Sequence, residues 1–194
     1  VLLVSNGGSA EAAERIVGLL RDSFEEIRFF VPGNAYSAAT LICLAGDEIV
    51  MTNLATLGPI DPQINGIPDR AILRGFESVE KRLKEEGPEA LTAYMPLLAK
   101  YDLHILEICK SADELSKELA RYWLSEYMLK VGQEDDAISN IVDFLSDYDT
   151  HKSHGRSISR KTANSIGLNV KCSEDAEEGL DELLTSLYVQ YEFF

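Results

Sequence analysis

Ala35-Tyr36-Ser37-Ala38-Ala39-Thr40 places a small hydroxyl where an irregular loop meets an apolar helix. The residues before it, Ile27-Arg28-Phe29-Phe30-Val31, read as a strand, and Pro32-Gly33-Asn34 as the turn that follows. The residues after it, Leu41-Ile42-Cys43-Leu44-Ala45-Gly46, form an apolar run without alternation, which predicts a buried helix ended by Gly46. Strand, turn, serine and helix in that order expose a nucleophile. A side-chain oxygen there sits beside unpaired backbone N–H groups and the positive end of the helix dipole, which stabilise a developing oxyanion. Acyl transfer is therefore one chemistry the stretch suggests. Ser37 also fits a plainer role as a helix N-cap, and the local pattern alone favours that role.

A second segment bears on the choice. Val1-Leu2-Leu3-Val4-Ser5 reads as a strand, Asn6-Gly7-Gly8-Ser9 as a glycine turn, and Ala10 to Leu20 as a helix with Ile16, Val17, Leu19 and Leu20 on its apolar side. Gly7 and Gly8 lack a Cβ, so their backbone amides can approach a bound carbonyl closely. A Gly-Gly pair is also an ordinary strand-to-helix turn.

Taken in order, Asn6-Gly7-Gly8-Ser9, Tyr36-Ser37-Ala38-Ala39-Thr40, Ala45-Gly46-Asp47-Glu48-Ile49-Val50-Met51 and Leu57-Gly58-Pro59-Ile60-Asp61-Pro62-Gln63 resemble the serine dehydrogenase proteinase family. That family belongs to the ClpP/crotonase-like superfamily and is related to the signal peptide peptidase SppA. The resemblance continues in His154-Gly155-Arg156-Ser157-Ile158 and Thr162-Ala163-Asn164-Ser165-Ile166-Gly167-Leu168, so it covers most of the chain. Two positions depart from the family pattern: Asn6 stands where proline is common, and Ala39 where glycine is common. The resemblance implies an α/β fold, a ClpP/crotonase-like spiral of strand-strand-helix units, in one domain over residues 1–194. It also moves Ser37 from cap to nucleophile.

Composition agrees with a soluble domain. A chain of 194 residues, 45% of them hydrophobic, can bury one sizeable core. No apolar run is long enough to cross a bilayer, and no secretory signal is present. Val1 already lies in the expected strand, which suggests an N-terminal truncation; a membrane anchor would have to lie in the missing part. Cys43, Cys109 and Cys172 are odd in number and form no CxxC pair, so neither a zinc site nor a disulfide framework is indicated, and a reducing, cytoplasmic setting is expected. A net charge of −15 argues against a nucleic-acid partner. No cofactor is implied.

From Pro68 to Lys130 the pattern is helical, with Ala71, Ile72, Phe76, Val79 and Leu83 at helical spacings. Gly87-Pro88 breaks the first helix. A second is expected from about Ala90 to Ile108, kinked or restarted at Pro96, and Ser111-Ala112-Asp113-Glu114 resembles a capping box that opens a third. In ClpP-like folds helices outside the spiral mediate subunit contact, which implies a homo-oligomer built through this insertion. A lid or plain core packing explains the same amphipathic stripe.

A serine nucleophile needs a base. His104 lies in a helical segment, whereas His151 and His154 flank Lys152-Ser153 in a polar loop. His154 is the candidate base, with Asp61 to orient it in a Ser37-His154-Asp61 triad of unusual chain order. Loop support for His154 and a turn role for Asp61 are the plainer alternatives. By resemblance to the Ser-Lys dyad of SppA relatives, Lys81 is a second candidate base, although a solvated helical face is the default reading of Glu80-Lys81-Arg82-Leu83-Lys84-Glu85-Glu86.

These residues lead to an expected serine endopeptidase acting on peptides or proteins. Ser37 attacks the carbonyl, the Gly7-Gly8 loop and the Ala38 amide hold the oxyanion, and Arg156 binds substrate. A non-catalytic ClpP-like binding or assembly module is the alternative, and a crotonase-type acyl-CoA enzyme a third.

Overall fold

The computed structural model describes residues 1–102, 104–129 and 135–193, with 191–193 as backbone only. Leu103 and Lys130, the latter the expected end of the helical insertion, lie outside the described residues.

Two small sheets are built in step. Strand β1 (Arg28–Val31) is followed by β2 (Asn34–Ala35), helix α2 (Ala38–Leu44), β3 (Glu48–Met51) and β4 (Thr56–Leu57). β1 and β3 pair in parallel in one sheet, with β8 (Val170–Cys172) parallel beyond β3. β2 and β4 pair in parallel in the other, closed by the antiparallel β7 (Ile158–Ser159). Each pass of the chain thus gives one strand to each sheet, and α2 supplies the crossover that parallel neighbours need.

The N-terminal segment follows the same plan. Leu2 bridges Phe30 and Ser5 bridges Ala35, both in parallel, and helix α1 (Ala10–Ser23) then begins, capped by the Ser9 hydroxyl. The strand expected over Val1–Ser5 is thereby reduced to two isolated bridges. Between Leu3 and Ser5 the chain changes sheets, so neither sheet holds it long enough to form a ladder. Further on, β5 (Gln63–Ile64) and β6 (Ile67–Pro68) form a hairpin whose Asn65 and Gly66 take φ of 52° and 79°, as a two-residue turn requires.

The core explains the apolar runs. All seven residues of α2 and all four of β3 are buried, as expected where a parallel strand is covered on both faces. Leu44 is completely buried, and its truncation to alanine is worth ~2–5 kcal/mol. Thr40 ties three elements together: its hydroxyl faces the Ala35 and Gly58 carbonyl oxygens at 2.7 and 2.9 Å and accepts the Gly58 N–H at 3.1 Å.

The helical region differs from its sequence reading in two places. Helix α3 (Asp69–Glu86) ends at Gly87, and a 3-10 turn leads into α4 (Leu91–Leu98), which contains Pro96. The helix expected over Ala90–Ile108 is split, with its restart at α5 (Ile105–Trp123). Ser111-Ala112-Asp113-Glu114 does not open a helix but lies inside α5. Buried Cys109 on one side of it and Ser116, which donates to the Ile60 carbonyl at 2.9 Å, on the other keep one packed face continuous through these residues.

Helix α5 continues into a π-helical turn, Leu124–Met128. Leu119, Ala120, Trp123 and Leu124 then join the main core with Ile138, Ile141, Val142 and Leu145 of α6 (Asp135–Ser146). α7 (Tyr148–His151), α8 (Arg160–Ser165) and α9 (Leu180–Phe193) complete the described helices. Among the described residues no helix is long and apolar enough to cross a membrane.

Candidate active site

Ser37 adopts φ 54° and ψ −121°, a backbone conformation that costs a non-glycine residue of the order of 1–3 kcal/mol. Its neighbours hold it there. Tyr36 donates its N–H to the Ser5 carbonyl at 3.0 Å and accepts the Ala39 N–H at 2.9 Å. The Tyr36 hydroxyl sits 3.0 Å from Thr56 Oγ1 and 2.9 Å from Ser157 Oγ. Ser37 occupies the N-cap position of α2, yet its hydroxyl makes no capping hydrogen bond. The plain cap role is therefore absent, and the oxygen is left for another partner.

The Gly-Gly loop packs against this serine. A Cβ on Gly7 would stand 2.7 Å from Ser37 Cβ and 2.8 Å from the Tyr36 carbonyl oxygen, and Gly7 has φ of +112°. Only glycine satisfies both demands. The Gly7 N–H donates to Ser5 Oγ at 3.1 Å. By contrast the Gly8 and Ala38 N–H groups have no protein acceptor among the described residues, and both residues line the cavity that Ser37 faces. Of the two glycines, Gly7 has its N–H taken by Ser5 and packs against Ser37, whereas Gly8 lines the cavity.

His154 and Ser37 line the same cavity of about 430 Å³, within the range of ligand pockets. His154 Nδ1 lies 2.9 Å from Asp61 Oδ1. Donation of Nδ1–H to that carboxylate leaves Nε2 as the acceptor, which is the tautomer a general base requires. Asp61 is buried, and its second oxygen, Oδ2, has no partner among the described residues. Its backbone is fixed on both sides: Ile60 donates to the Leu145 carbonyl at 2.9 Å, and the Pro62 carbonyl accepts the Asp69 N–H at 3.0 Å. The carboxylate thus points into the protein toward an imidazole and does not cap its own turn.

The other sequence candidates lie elsewhere. Lys81 stands on an exposed face of α3, with 77% of its side chain accessible and Glu85 3.9 Å away, and it does not line the cavity. An exposed ammonium away from the cavity is not placed to take a proton from Ser37. Arg156 is exposed and also does not line the cavity. His151, expected in the same polar loop as His154, ends the short helix α7 and is buried: its Nε2 lies 2.7 Å from the Phe144 carbonyl and its ring meets Phe144 edge-on. That turn of helix rotates the imidazole toward the C-terminal end of α6. His104 is exposed at the start of α5. Cys43, the thiol nearest Ser37 in sequence, is fully buried, and burial pushes its pKa up, so it is no competing nucleophile.

Sequence reading missed one wall of the site. Ile108, Ala112, Leu115 and Ser116 of α5 line the cavity. Their i, i+4, i+7 and i+8 spacing marked a shared helical face, but nothing in the sequence said what that face meets. Among the described residues no group of three His, Cys, Asp or Glu side chains is placed to hold a metal ion.

A serine and a histidine on one cavity, with a buried aspartate on the histidine, direct attention to known serine hydrolases. Residues 1–95 match the model of the ClpP-like SDH-type serine proteinase family. The match covers α1, both sheets as far as β4, Ser37, Gly7, Gly8 and Asp61, and stops short of His154. Over 140 residues the chain is 29% identical to the uncharacterized protein MJ1495 of Methanocaldococcus jannaschii, an alignment covering 69% of this chain and 48% of that one. Over 77 residues it is 39% identical to the uncharacterized protein MJ0137 of the same organism, covering 40% of this chain and 27% of that one. The chain therefore aligns with about half or less of the length of these relatives. No solved structure matches it.

Proposed function

We propose that this chain carries a serine peptidase site in which Ser37, His154 and Asp61 act as nucleophile, base and orienting acid. The single observation that carries the reading is the 2.9 Å contact of His154 Nδ1 with buried Asp61, made by an imidazole that shares a cavity with Ser37. A buried carboxylate on one ring nitrogen fixes the tautomer and stabilises the imidazolium that forms during attack.

Ser37 Oγ adds to the scissile carbonyl carbon while its proton passes to His154 Nε2. The Gly8 and Ala38 N–H groups receive the oxyanion, at the N-terminus of α2 where the helix dipole adds to them. Collapse of the tetrahedral adduct breaks the C–N bond, and the leaving amine takes the proton from His154. Water then repeats the sequence on the acyl-enzyme and frees Ser37. The alternation of strands between two sheets supports the ClpP-like spiral in which such a serine sits.

A serine-directed fluorophosphonate probe tests the reading. Wild type is expected to label between about pH 6 and 9, where an imidazole base titrates, and both Ser37→Ala and His154→Ala to lose the label. Wild type that stays unlabelled across that range overturns the peptidase assignment in favour of a binding module.

A further inference from the structure

The cavity that holds Ser37 and His154 has an apolar wall, and that wall comes from outside the family-matching residues 1–95. Ile108, Ala112 and Leu115 recur at i, i+4 and i+7 and so share one face of α5. They line the cavity together with Leu41, Ile60 and Ile64. Leu41 and Ile60 are buried core residues that form its floor, whereas Ile108 is 41% exposed, apolar surface that a bound side chain would cover. Ala112 is the smallest of the six.

Asn6, Ser9 and Glu11, from the Gly-Gly loop and the start of α1, line the same cavity. An acidic substrate side chain in this cavity would be repelled by the Glu11 carboxylate and would lose water to the aliphatic surface. A large aliphatic or aromatic side chain meets neither cost.

We propose that α5 is the specificity wall of the peptidase site, taking a large apolar side chain of a peptide next to the bond that Ser37 attacks and rejecting acidic ones at that position. This assignment rests on the peptidase reading and deepens it. It gives the helical insertion a role at the site.

The test separates the two. Short fluorescent peptides that differ only in one central residue, leucine or aspartate, are bound to Ser37→Ala, which cannot turn them over, and followed by fluorescence anisotropy. The leucine peptide is expected to bind about tenfold or more tighter, the scale on which apolar pockets discriminate. Ala112→Phe, which puts a bulky ring into the cavity wall, should abolish that preference, and Ile108→Asp, at a part-exposed position, should weaken the leucine peptide at least as much. Both variants should keep a cooperative thermal unfolding transition close to that of Ser37→Ala, which confirms that they fold. Equal affinity for the two peptides, or a preference unchanged by both substitutions, overturns the assignment even if the serine labels. Unlabelled wild type with the leucine preference intact overturns the peptidase reading alone and leaves the apolar subsite standing.

Discussion

His154 Nδ1 lies 2.9 Å from Asp61 Oδ1, bridging 93 residues of chain, while the other oxygen of the same carboxylate is buried without a partner among the described residues. A buried acceptor left unpaired costs roughly 1–3 kcal/mol, a cost to the fold that the proposed role of Asp61 in orienting the imidazole accounts for. Asp61→Asn separates the two interests. The amide preserves the shape but can present its N–H₂ to Nδ1, which would put the ring proton on Nε2 and leave Ser37 without a base. Fluorophosphonate reactivity is expected to fall by about 10³-fold or more, while the thermal midpoint stays level or rises. A lowered midpoint with reactivity intact would show that Asp61 is structural.

Gly7 and Gly8 are adjacent in sequence and differ in what surrounds them. A Cβ on Gly7 collides with Ser37 and Tyr36, whereas one on Gly8 meets nothing within 4 Å. Gly7→Ala should destabilise the protein by about 1–3 kcal/mol, since φ of +112° is strained for alanine, and should displace the nucleophile. Gly8→Ala should fold like wild type. Urea denaturation of the pair decides this, and equal losses would mean that the loop does not sit against Ser37.

The order of segments from Asn6 to Gln63 was legible because turn glycines, a caplike serine and apolar runs each leave a local mark. Ser37, Gly7 and Gly8 could be named from it. The contact between Asp61 and His154 could be named only as one option, because no local pattern records which distant carboxylate an imidazole meets. His151 and His154 look alike in sequence, and one turn of helix, α7, buries the first and sends the second to the cavity. The continuity of α5 through Ser111–Glu114 was illegible for a related reason. A capping box describes only hydrogen bonds that a helix start can make, whereas packing on both sides of these residues carried the helix through.

Lys81 offers the sharpest contrast with His154. Its ammonium is exposed and 3.9 Å from Glu85, an i,i+4 pair of the kind that contributes about 0.3–0.5 kcal/mol at most. Lys81→Met should leave both the labelling rate and its pH profile unchanged, with stability within about 0.5 kcal/mol of wild type. His154→Ala should abolish labelling in the same assay. Loss of labelling in Lys81→Met would transfer the base from His154 to a lysine dyad.

Asp69 gives the protein a stability that depends on pH. It is buried at the start of α3, and desolvation, with Asp113 and Asp61 nearby, pushes its pKa up from 3.8 to about 6, against the opposing Arg70 N–H and Lys117. Arg70, Asp113 and Lys117 share a cavity of about 290 Å³ with Asp69, together with Asp143, Asp147 and Tyr148. The folded state therefore holds the Asp69 proton to higher pH than the unfolded chain. Between 3.8 and about 6 the native state binds more protons, so unfolding free energy from this group falls as pH rises and the penalty is complete above about 6. At one pKa unit per 1.36 kcal/mol the full penalty is roughly 3 kcal/mol at most. Asp69→Asn keeps an oxygen for the Arg70 N–H, 2.5 Å from Asp69 Oδ1, and carries no charge to desolvate. Urea denaturation should find the variant more stable than wild type by about 1–3 kcal/mol at pH 7.5, above the folded pKa, with the difference shrinking toward zero near pH 4. A difference that stays constant between those two values would mean that Asp69 titrates alike in the folded and unfolded chain.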